Sequence, residues 1–216
     1  MRSLIGIFLL TLGACTDPVD FDRLDADLLA AGKLRADRNP RDAPFTRENL
    51  IENFARIGFG SEFEIVDGRY TALPVDGTAP LTRWGGPVRY TLIGDVSARD
   101  RADVAAFTDR LAAATGLDFV ATADSPNLLV FFLDEDARAR VGQSFAHTPA
   151  YHPLSNLFDT WAEDAEWPCA AEFYYRPQEA QDAYRIYFAV VYIRAEVSGL
   201  SRRSCIEEEI AQTMGL

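Results

Sequence analysis

From residue 46 onwards, apolar residues recur first at helical and then at strand spacing. Over residues 46–58 an apolar residue comes every three to four positions, which predicts an amphipathic helix. Residues 63–66 and 69–73 then flank Asp67-Gly68, a dipeptide typical of two-residue hairpin turns. The pattern therefore predicts a helix followed by a β-hairpin. The apolar face of this helix consists of Leu50, Ile51, Phe54 and Ile57.

A strand, a long helix and two further strands are predicted next. Residues 88–93 have the composition of a strand. Ser97 is a preferred N-cap residue, and Gly116 with an apolar residue after it is typical of a helix end, so a helix is expected between them. Residues 118–121 and 127–133 predict two more strands. The buried stripe of the helix consists of Val104, Phe107 and Leu111.

The last third of the chain is less regular before it becomes periodic again. Residues 134–181 contain four prolines and both histidines, and a long loop is expected there. A strongly apolar strand over 185–193 leads to a closing amphipathic helix over 204–216. The order of elements predicts an α+β fold with one mixed β-sheet and packed helices. The core stripe of the closing helix consists of Ile206, Ile210 and Met214.

The closing helix carries an acidic run that has a structural interpretation. Ser204-Cys-Ile-Glu207 has the spacing of a capping box, which accounts for Glu207. Glu208 and Glu209 then lie near the positive helix end, where each anionic side chain stabilises by about 0.3–1 kcal/mol. On this interpretation the acidic residues are helix-capping structure and form no site.

The N-terminus has the pattern of an export signal. Arg2 precedes an apolar run over 4–12, which is too short to span a bilayer, since a spanning helix needs roughly twenty residues. The run ends in Leu-Gly-Ala-Cys at 12–15, which resembles the bacterial lipobox, whose cysteine becomes the lipidated first residue. The resemblance implies a signal peptide over 1–14 and a lipid on Cys15. An ordinary signal peptide followed by a chance cysteine is the alternative.

Lipidation would fix the location of the protein. The expected location is the cell envelope, facing the periplasm, with the outer membrane favoured over the inner one. The chain has 216 residues and a net charge of −12, which argues against nucleic-acid binding and against electrostatic attachment to anionic lipids. Membrane association is therefore expected through the N-terminal lipid. Residues 15–45, which include a short helical pattern from Phe21 to Leu29, are interpreted as a tether or linker to a single domain over 46–216.

Two cysteines remain besides Cys15, and they are candidates for a disulfide. Cys169 and Cys205 would be oxidised in the periplasm, where leftover cysteines tend to pair. Two free buried thiols are the alternative. The sequence has no Cys-x-x-Cys motif and no Cys/His spacing typical of a structural zinc site.

Four stretches of the domain resemble an uncharacterised family of proteobacterial predicted lipoproteins. The resemblance covers about residues 46–216, and it implies an envelope domain without an assigned activity. The stretches are Ile-Gly-Phe-Gly-Ser-Glu at 57–62, Arg-Trp-Gly-Gly-Pro-Val-Arg-Tyr at 83–90, Asn-Leu-Leu-Val-Phe-Phe at 127–132 and Cys-Ile-Glu-Glu-Glu-Ile-Ala-Gln at 205–212.

The order of elements from Val88 onwards also resembles the N-terminal half of a zincin metallopeptidase. In zincins a strand, a long helix and further strands precede a helix that carries His-Glu-x-x-His. In that frame Glu209 matches the general-base glutamate and Gly215 matches the glycine that ends the helix. Glu208 and Gln212 stand where zincins have their two zinc-binding histidines. The resemblance implies a degenerate zincin-like fold that ends in a degenerate active-site helix.

These substitutions change the chemistry that the helix can perform. Catalytic zinc needs two imidazoles four residues apart, a third ligand and an open position for water. A carboxamide oxygen such as that of Gln212 is a weak zinc ligand, and Glu209 without a metal has no bound water to deprotonate. We therefore expect no catalytic residue, no metal and no cofactor. The expected role is non-catalytic binding of an envelope protein, a peptide or a cell-wall component in the cleft beside Glu208, Glu209 and Gln212.

Two other functions stay open at this point. One is a metal-dependent peptidase that uses the atypical Glu/Gln ligand set, and the other is a purely structural envelope lipoprotein. A separate metal pair could be formed by His147 and His152 together with Asp159 or Glu163, although surface or aromatic-packed histidines are the simpler interpretation.

Overall fold

The computed structural model describes residues 19–33, 44–60, 63–66, 69–72, 80–148, 152–163, 167–176 and 184–215. Six helices and eight strands lie within these ranges. They are α1 (Phe21–Ala30), α2 (Arg47–Gly58), β1 (Phe63–Val66), β2 (Arg69–Ala72), β3 (Thr82–Trp84), β4 (Val88–Gly94), α3 (Ala98–Thr115), β5 (Phe119–Ala121), β6 (Leu128–Leu133), α4 (Glu135–His147), α5 (His152–Glu163), β7 (Cys169–Arg176), β8 (Tyr184–Arg194) and α6 (Gly199–Gln212).

The helices and strands predicted between residues 46 and 133 are confirmed. They could be predicted because their apolar residues recur at a regular spacing and their ends have recognisable residues. Thr46 caps α2 in a reciprocal capping box with Asn49, and β1 and β2 pair antiparallel. Ser97 caps α3 in the same reciprocal way with Asp100. Gly116 ends α3 in the left-handed conformation, at φ 72°.

The main sheet is mixed, as predicted, and β8 is its central strand, but the hairpin β1–β2 is not part of it and forms a two-stranded sheet of its own. β7 runs antiparallel along one edge of β8, and β3 and then β6 run parallel along the other edge. β4 pairs with β6, and β5 pairs with β4, both in parallel. The α+β class is therefore confirmed. The three-residue strand β3 was not predicted, since it has no period of its own and is defined by its pairing with β8.

Alternate residues of β8 fill two separate cores. Ala189, Val191 and Ile193 point into a first core that is covered by α3 and α6. Val190 and Tyr192 point into a second core that is covered by α4 and α5. A strand buried on both faces has to be apolar without interruption, which explains why this run was visible in the sequence.

The predicted long loop over 134–181 is wrong, since this stretch contains α4, α5 and β7. Asp134 caps α4 by accepting a hydrogen bond from the Ala137 amide, at 2.7 Å. Pro153 lies in the first turn of α5, where proline is tolerated and does not break the helix. These helices are held mainly by aromatic packing with ring centroids 5.3–5.8 Å apart. The rings belong to Phe131, Phe145, Phe158, Trp161 and Tyr192.

The predicted start of the closing helix is also wrong. α6 begins at Gly199, so Ser204 lies inside the helix and cannot form a capping box with Glu207. Glu207 binds two arginines instead, Arg203 and Arg110, each at 2.9 Å. Glu208 and Glu209 therefore lie in the third turn, away from the positive end of the helix. The core stripe was predicted correctly for Ile206 and Ile210, which are fully buried, while Met214 is half-buried.

The short helix predicted in the N-terminal segment is confirmed as α1, and it contacts α6. Phe21 is buried, and the Ser198 hydroxyl donates a hydrogen bond to Asp22 at 2.5 Å. Ser201 donates a second hydrogen bond to Asp25. The segment interpreted as a tether therefore includes a helix that rests against the first turn of α6. Cys15 lies outside the described residues.

Candidate functional site

The seam between α6 and β7 contains most of the predicted site. Cys205 and Glu209 are four residues apart on α6, so they share the face that lies beside β7. The sulfur atoms of Cys169 and Cys205 are 2.05 Å apart and the two Cα atoms are 5.8 Å apart, which is disulfide geometry. The predicted pairing is therefore supported, and it links the first residue of β7 to the middle of α6.

The three residues of the degenerate metal helix lie at different depths in this seam. Glu209 is buried, with 6% of its surface exposed. Gln212 is half-buried at the rim, and Glu208 is exposed to solvent. Glu208 and Gln212 are four residues apart and share one face of α6, and Glu209 lies about 100° round the helix from Glu208. The structure thus places Glu209 in the floor of the seam and the other two residues along its upper edge.

The β7 side of the seam is apolar and aromatic. Ala171 and Phe173 are half-buried against the first core. The Tyr175 ring packs near those of Phe173 and Tyr184, with centroids 6.2 and 5.3 Å apart, and it remains 42% exposed. Among the described strands only β8 pairs with β7, so β7 is an edge strand in the described part of the sheet.

Metal ligands do not cluster in the part of the chain that the structure describes. No group of three or more His, Cys, Asp or Glu side chains there could hold a metal ion. In α4 the Nδ1 atom of His147 lies 2.6 Å from the Gln143 carbonyl oxygen. Burial, and then the nearby Glu163 carboxylate, raise the pKa of Asp159 above its ordinary value. The side chain of His152 lies outside the described residues.

The orientation of α6 depends on an ion pair that the sequence did not indicate. Arg202 binds both carboxylate oxygens of Asp100, with Nε–Oδ1 at 2.6 Å and Nη2–Oδ2 at 2.8 Å. It also donates to the carbonyl oxygens of Ala195 and Val197 at 3.0 and 3.2 Å, and its guanidinium lies 4.8 Å from the Phe132 ring centre. One side chain thereby connects the start of α3, the turn after β8 and the first turn of α6.

The pKa of Asp100 reflects this environment. Burial by itself raises the pKa, but the hydrogen bonds from Arg202 and Ser97 outweigh it and hold the pKa below the ordinary value of 3.8. Asp100 is therefore a carboxylate at neutral pH. The capping motif at Ser97 was visible in the sequence, whereas the pairing with Arg202 bridges 102 residues and had no local signal.

Gly215 lies just beyond α6 and touches β3. Its φ is +95°, and a Cβ atom there would lie 2.5 Å from the Thr82 carbonyl oxygen. We expect Gly215→Ala to lower the free energy of unfolding by about 2–3 kcal/mol, because it adds a steric clash to the cost of a left-handed backbone. Gly116→Ala is the matched control, since φ is +72° there with open space around it, and about 1 kcal/mol is expected. Equal losses in urea denaturation would show that the contact with Thr82 is unimportant.

The fold and the site together define an α+β domain with a mixed sheet, two cores and a disulfide-linked α6–β7 seam. The chain belongs to the DUF2927 family, described as a protein of unknown function, whose sequence profile matches residues 47–216. This match confirms the resemblance to a family without an assigned activity, and it begins at the first residue of α2. No curated protein and no solved structure matches the chain. Among the described helices, none is both long and apolar enough to cross a bilayer.

Proposed function

We propose that this protein is a lipid-anchored component of the cell envelope whose domain is a non-catalytic binding module on a degenerate zincin-like fold. The anchor is Cys15, and the domain faces the periplasm, with the outer membrane favoured. The Cys169–Cys205 pairing supports this location, because stable disulfides belong to oxidising compartments. From β4 to α6 the order is strand, long helix, two strands, two helices, antiparallel strand, strand and helix, and apart from the two helices α4 and α5 this order supports the zincin-like frame.

The observation that carries the binding role is the different depth of Glu208 and Glu209. A hydrolytic site needs a base that reaches a water molecule and ligands that converge on one metal. Glu209 is buried in the seam floor, whereas Glu208 points to solvent. This arrangement favours a surface that recognises a ligand over a site that cleaves one.

An extended segment of an envelope protein is the ligand that fits the seam best. β7 is an edge strand in the described part of the sheet, and many domains bind extended peptides by adding a strand to a sheet edge. Tyr175 offers an exposed aromatic ring beside that edge. Glu208 and Gln212 at the rim offer acceptors for basic or amide side chains of the segment.

Photo-crosslinking tests this proposal with a matched control on the same sheet. A photoreactive residue at Tyr175, on the edge strand β7, is expected to capture an envelope protein or peptide in intact cells. The same residue at Val120, equally exposed on the opposite edge strand β5, is not expected to do so. Glu208→Lys should weaken the capture at Tyr175. Equal capture at both positions would contradict the proposed site.

Two further measurements separate the alternatives. If the purified protein contains stoichiometric zinc and Gln212→Ala removes it, the protein is a metal-dependent peptidase and the non-catalytic binding module is wrong. Incorporation of a palmitate analogue is expected in the wild-type protein and should disappear in Cys15→Ala. Labelling that persists in this variant would refute the proposed anchor and leave the result on the seam intact.

A further inference from the structure

α2 is a well-formed amphipathic helix whose apolar face is open to solvent. Its start is fixed by reciprocal hydrogen bonds of 3.1 Å between Thr46 and Asn49. Each of the apolar residues on one side is more than half exposed, and so is the residue before the N-cap. These residues, which we name the α2 face, are Phe45, Leu50, Ile51, Phe54 and Ile57.

The domain itself leaves the α2 face uncovered within the described part of the chain. No described helix or strand packs along α2. At its C-terminal end the Phe54 ring lies near Phe59, and Gly58 lies near Leu81. A helix of this length is only marginally stable alone in water, and a contiguous apolar patch of this kind marks an interaction site.

The charges of α2 disfavour a membrane surface as the occupant. Two arginines and two glutamates give the helix no net charge, on a chain with a net charge of −12. Helices that bind lipid surfaces are rich in Lys and Arg on their polar side. Three of the four charged residues, Glu48, Glu52 and Arg56, lie on the side of the helix opposite Phe54.

Arg47 is the exception, and its position favours a second copy of the same helix. It lies at the start of α2, on the apolar side. In an antiparallel pair of α2 helices each Arg47 comes to the C-terminal end of the other helix, where free carbonyl groups favour a cation. The same pairing sets Ile51 opposite Phe54 of the second copy. Two-fold symmetry creates both contacts twice.

The area that the α2 face can bury is close to what a specific dimer needs. Five side chains that are each about half exposed bury at most roughly 500 Å² per copy, taking the value on the order of 200 Å² for a fully buried aromatic side chain as the upper value for Leu and Ile. The two copies together then reach roughly 1,000 Å², which is the lower limit for a biological interface. We propose that the α2 face is a homodimerisation surface, in which two α2 helices pair antiparallel. This proposal does not depend on the function of the α6–β7 seam.

Sedimentation equilibrium of the full chain, with Cys15→Ser to keep lipid off, tests the proposal. A concentration-dependent dimer is expected for this protein. Phe54→Glu should make it monomeric, whereas Val120→Glu, the same change at an exposed apolar residue of β5, should leave the dimer unchanged. A wild-type monomer at high concentration, or a dimer that survives Phe54→Glu, would overturn the proposal. A monomer that floats with phosphatidylglycerol vesicles, and loses this binding with Phe54→Glu, would assign the α2 face to lipid.

Two charge reversals distinguish contact across the dimer from stability of the helix. Arg47→Glu is expected to weaken dimerisation about three- to thirtyfold, because two favourable contacts become repulsive. Arg56→Glu changes the net charge equally but lies on the polar side, so no change in the dimer constant is expected. If the two changes acted only through the stability of α2, Arg56→Glu would weaken the dimer more than Arg47→Glu. A glutamate stabilises the start of a helix and destabilises its end. A larger effect of Arg56→Glu than of Arg47→Glu would therefore overturn the antiparallel pairing.

Discussion

Arg202→Ala is expected to lower the free energy of unfolding by about 3–5 kcal/mol, which is the cost of leaving a buried charge without its partner. Asp100 is buried, with its side chain 2% exposed, and it would keep a negative charge with only the Ser97 cap as support. The carbonyl groups of Ala195 and Val197 would lose their donor as well. Urea denaturation followed by circular dichroism measures the effect.

Arg99→Ala is the matched control on the same helix. Arg99 also binds an aspartate, Asp103, at 2.7 Å, but its side chain is largely exposed, so the denaturation midpoint should not change. The double variant Asp100→Ala/Arg202→Ala should lose less than the sum of the two single variants, because neither charge is then left alone. Additive losses would show that the two side chains act independently.

The pair also predicts how stability depends on pH. The folded-state pKa of Asp100 lies below the ordinary value of 3.8, so the folded protein takes up this proton at a lower pH than the unfolded chain does. Its contribution is fully present above pH 3.8 and is lost as the pH falls through the lower, folded-state pKa. Asp100→Asn should therefore be less stable than the wild type at neutral pH and lose less stability below pH 3.8.

Removing the Cys169–Cys205 disulfide is expected to cost about 3–4 kcal/mol, the chain-entropy value for cysteines 36 residues apart. The bond restricts the unfolded chain, and it links α6 to the edge strand β7, which pairs with only one neighbour among the described strands. Cys205→Ser is therefore expected to lower the midpoint of urea denaturation. Reduction of the wild type with dithiothreitol should lower it by a similar amount.

The single and double cysteine variants provide the control. Cys169→Ser, Cys205→Ser and the double variant should all lose the same stability, since each removes one bond. Dithiothreitol should then have no effect on any of them. A wild-type midpoint that is insensitive to dithiothreitol, together with labelling of both thiols, would show that the cysteines are free.

The sequence predicted those elements that are specified locally. α2, α3 and the hairpin have a clear period, and Ser97 and Gly116 mark the ends of α3. α4 was missed because its apolar residues are few, with Val141 and Phe145 as the only large ones, and its stability comes from distant aromatic rings. The start of α6 was predicted too late, because the spacing of Ser204 and Glu207 matches a capping box, whereas the helix begins at Gly199.

The candidate site was predicted unevenly for the same reason. The Cys169–Cys205 pair followed from counting cysteines, which needs no structure. The burial of the side chains on α6 could not be predicted from the sequence. Glu208 and Glu209 are the same residue type and differ only in what packs against them. The Arg202–Asp100 pair and the edge position of β7 are properties of the tertiary fold and have no local pattern.

The position of β8 sets the order in which the domain can fold. β3, β6 and β7 all pair with β8, yet β8 follows all three in the sequence. Before β8 emerges from the ribosome, the β4–β6 pair has two apolar faces that are not yet covered. The strands β3 and β7 have no strand to pair with. Parallel pairings that close such long loops form slowly. The nascent chain is therefore expected to stay unfolded, and to bind chaperones, until β8 has been synthesised.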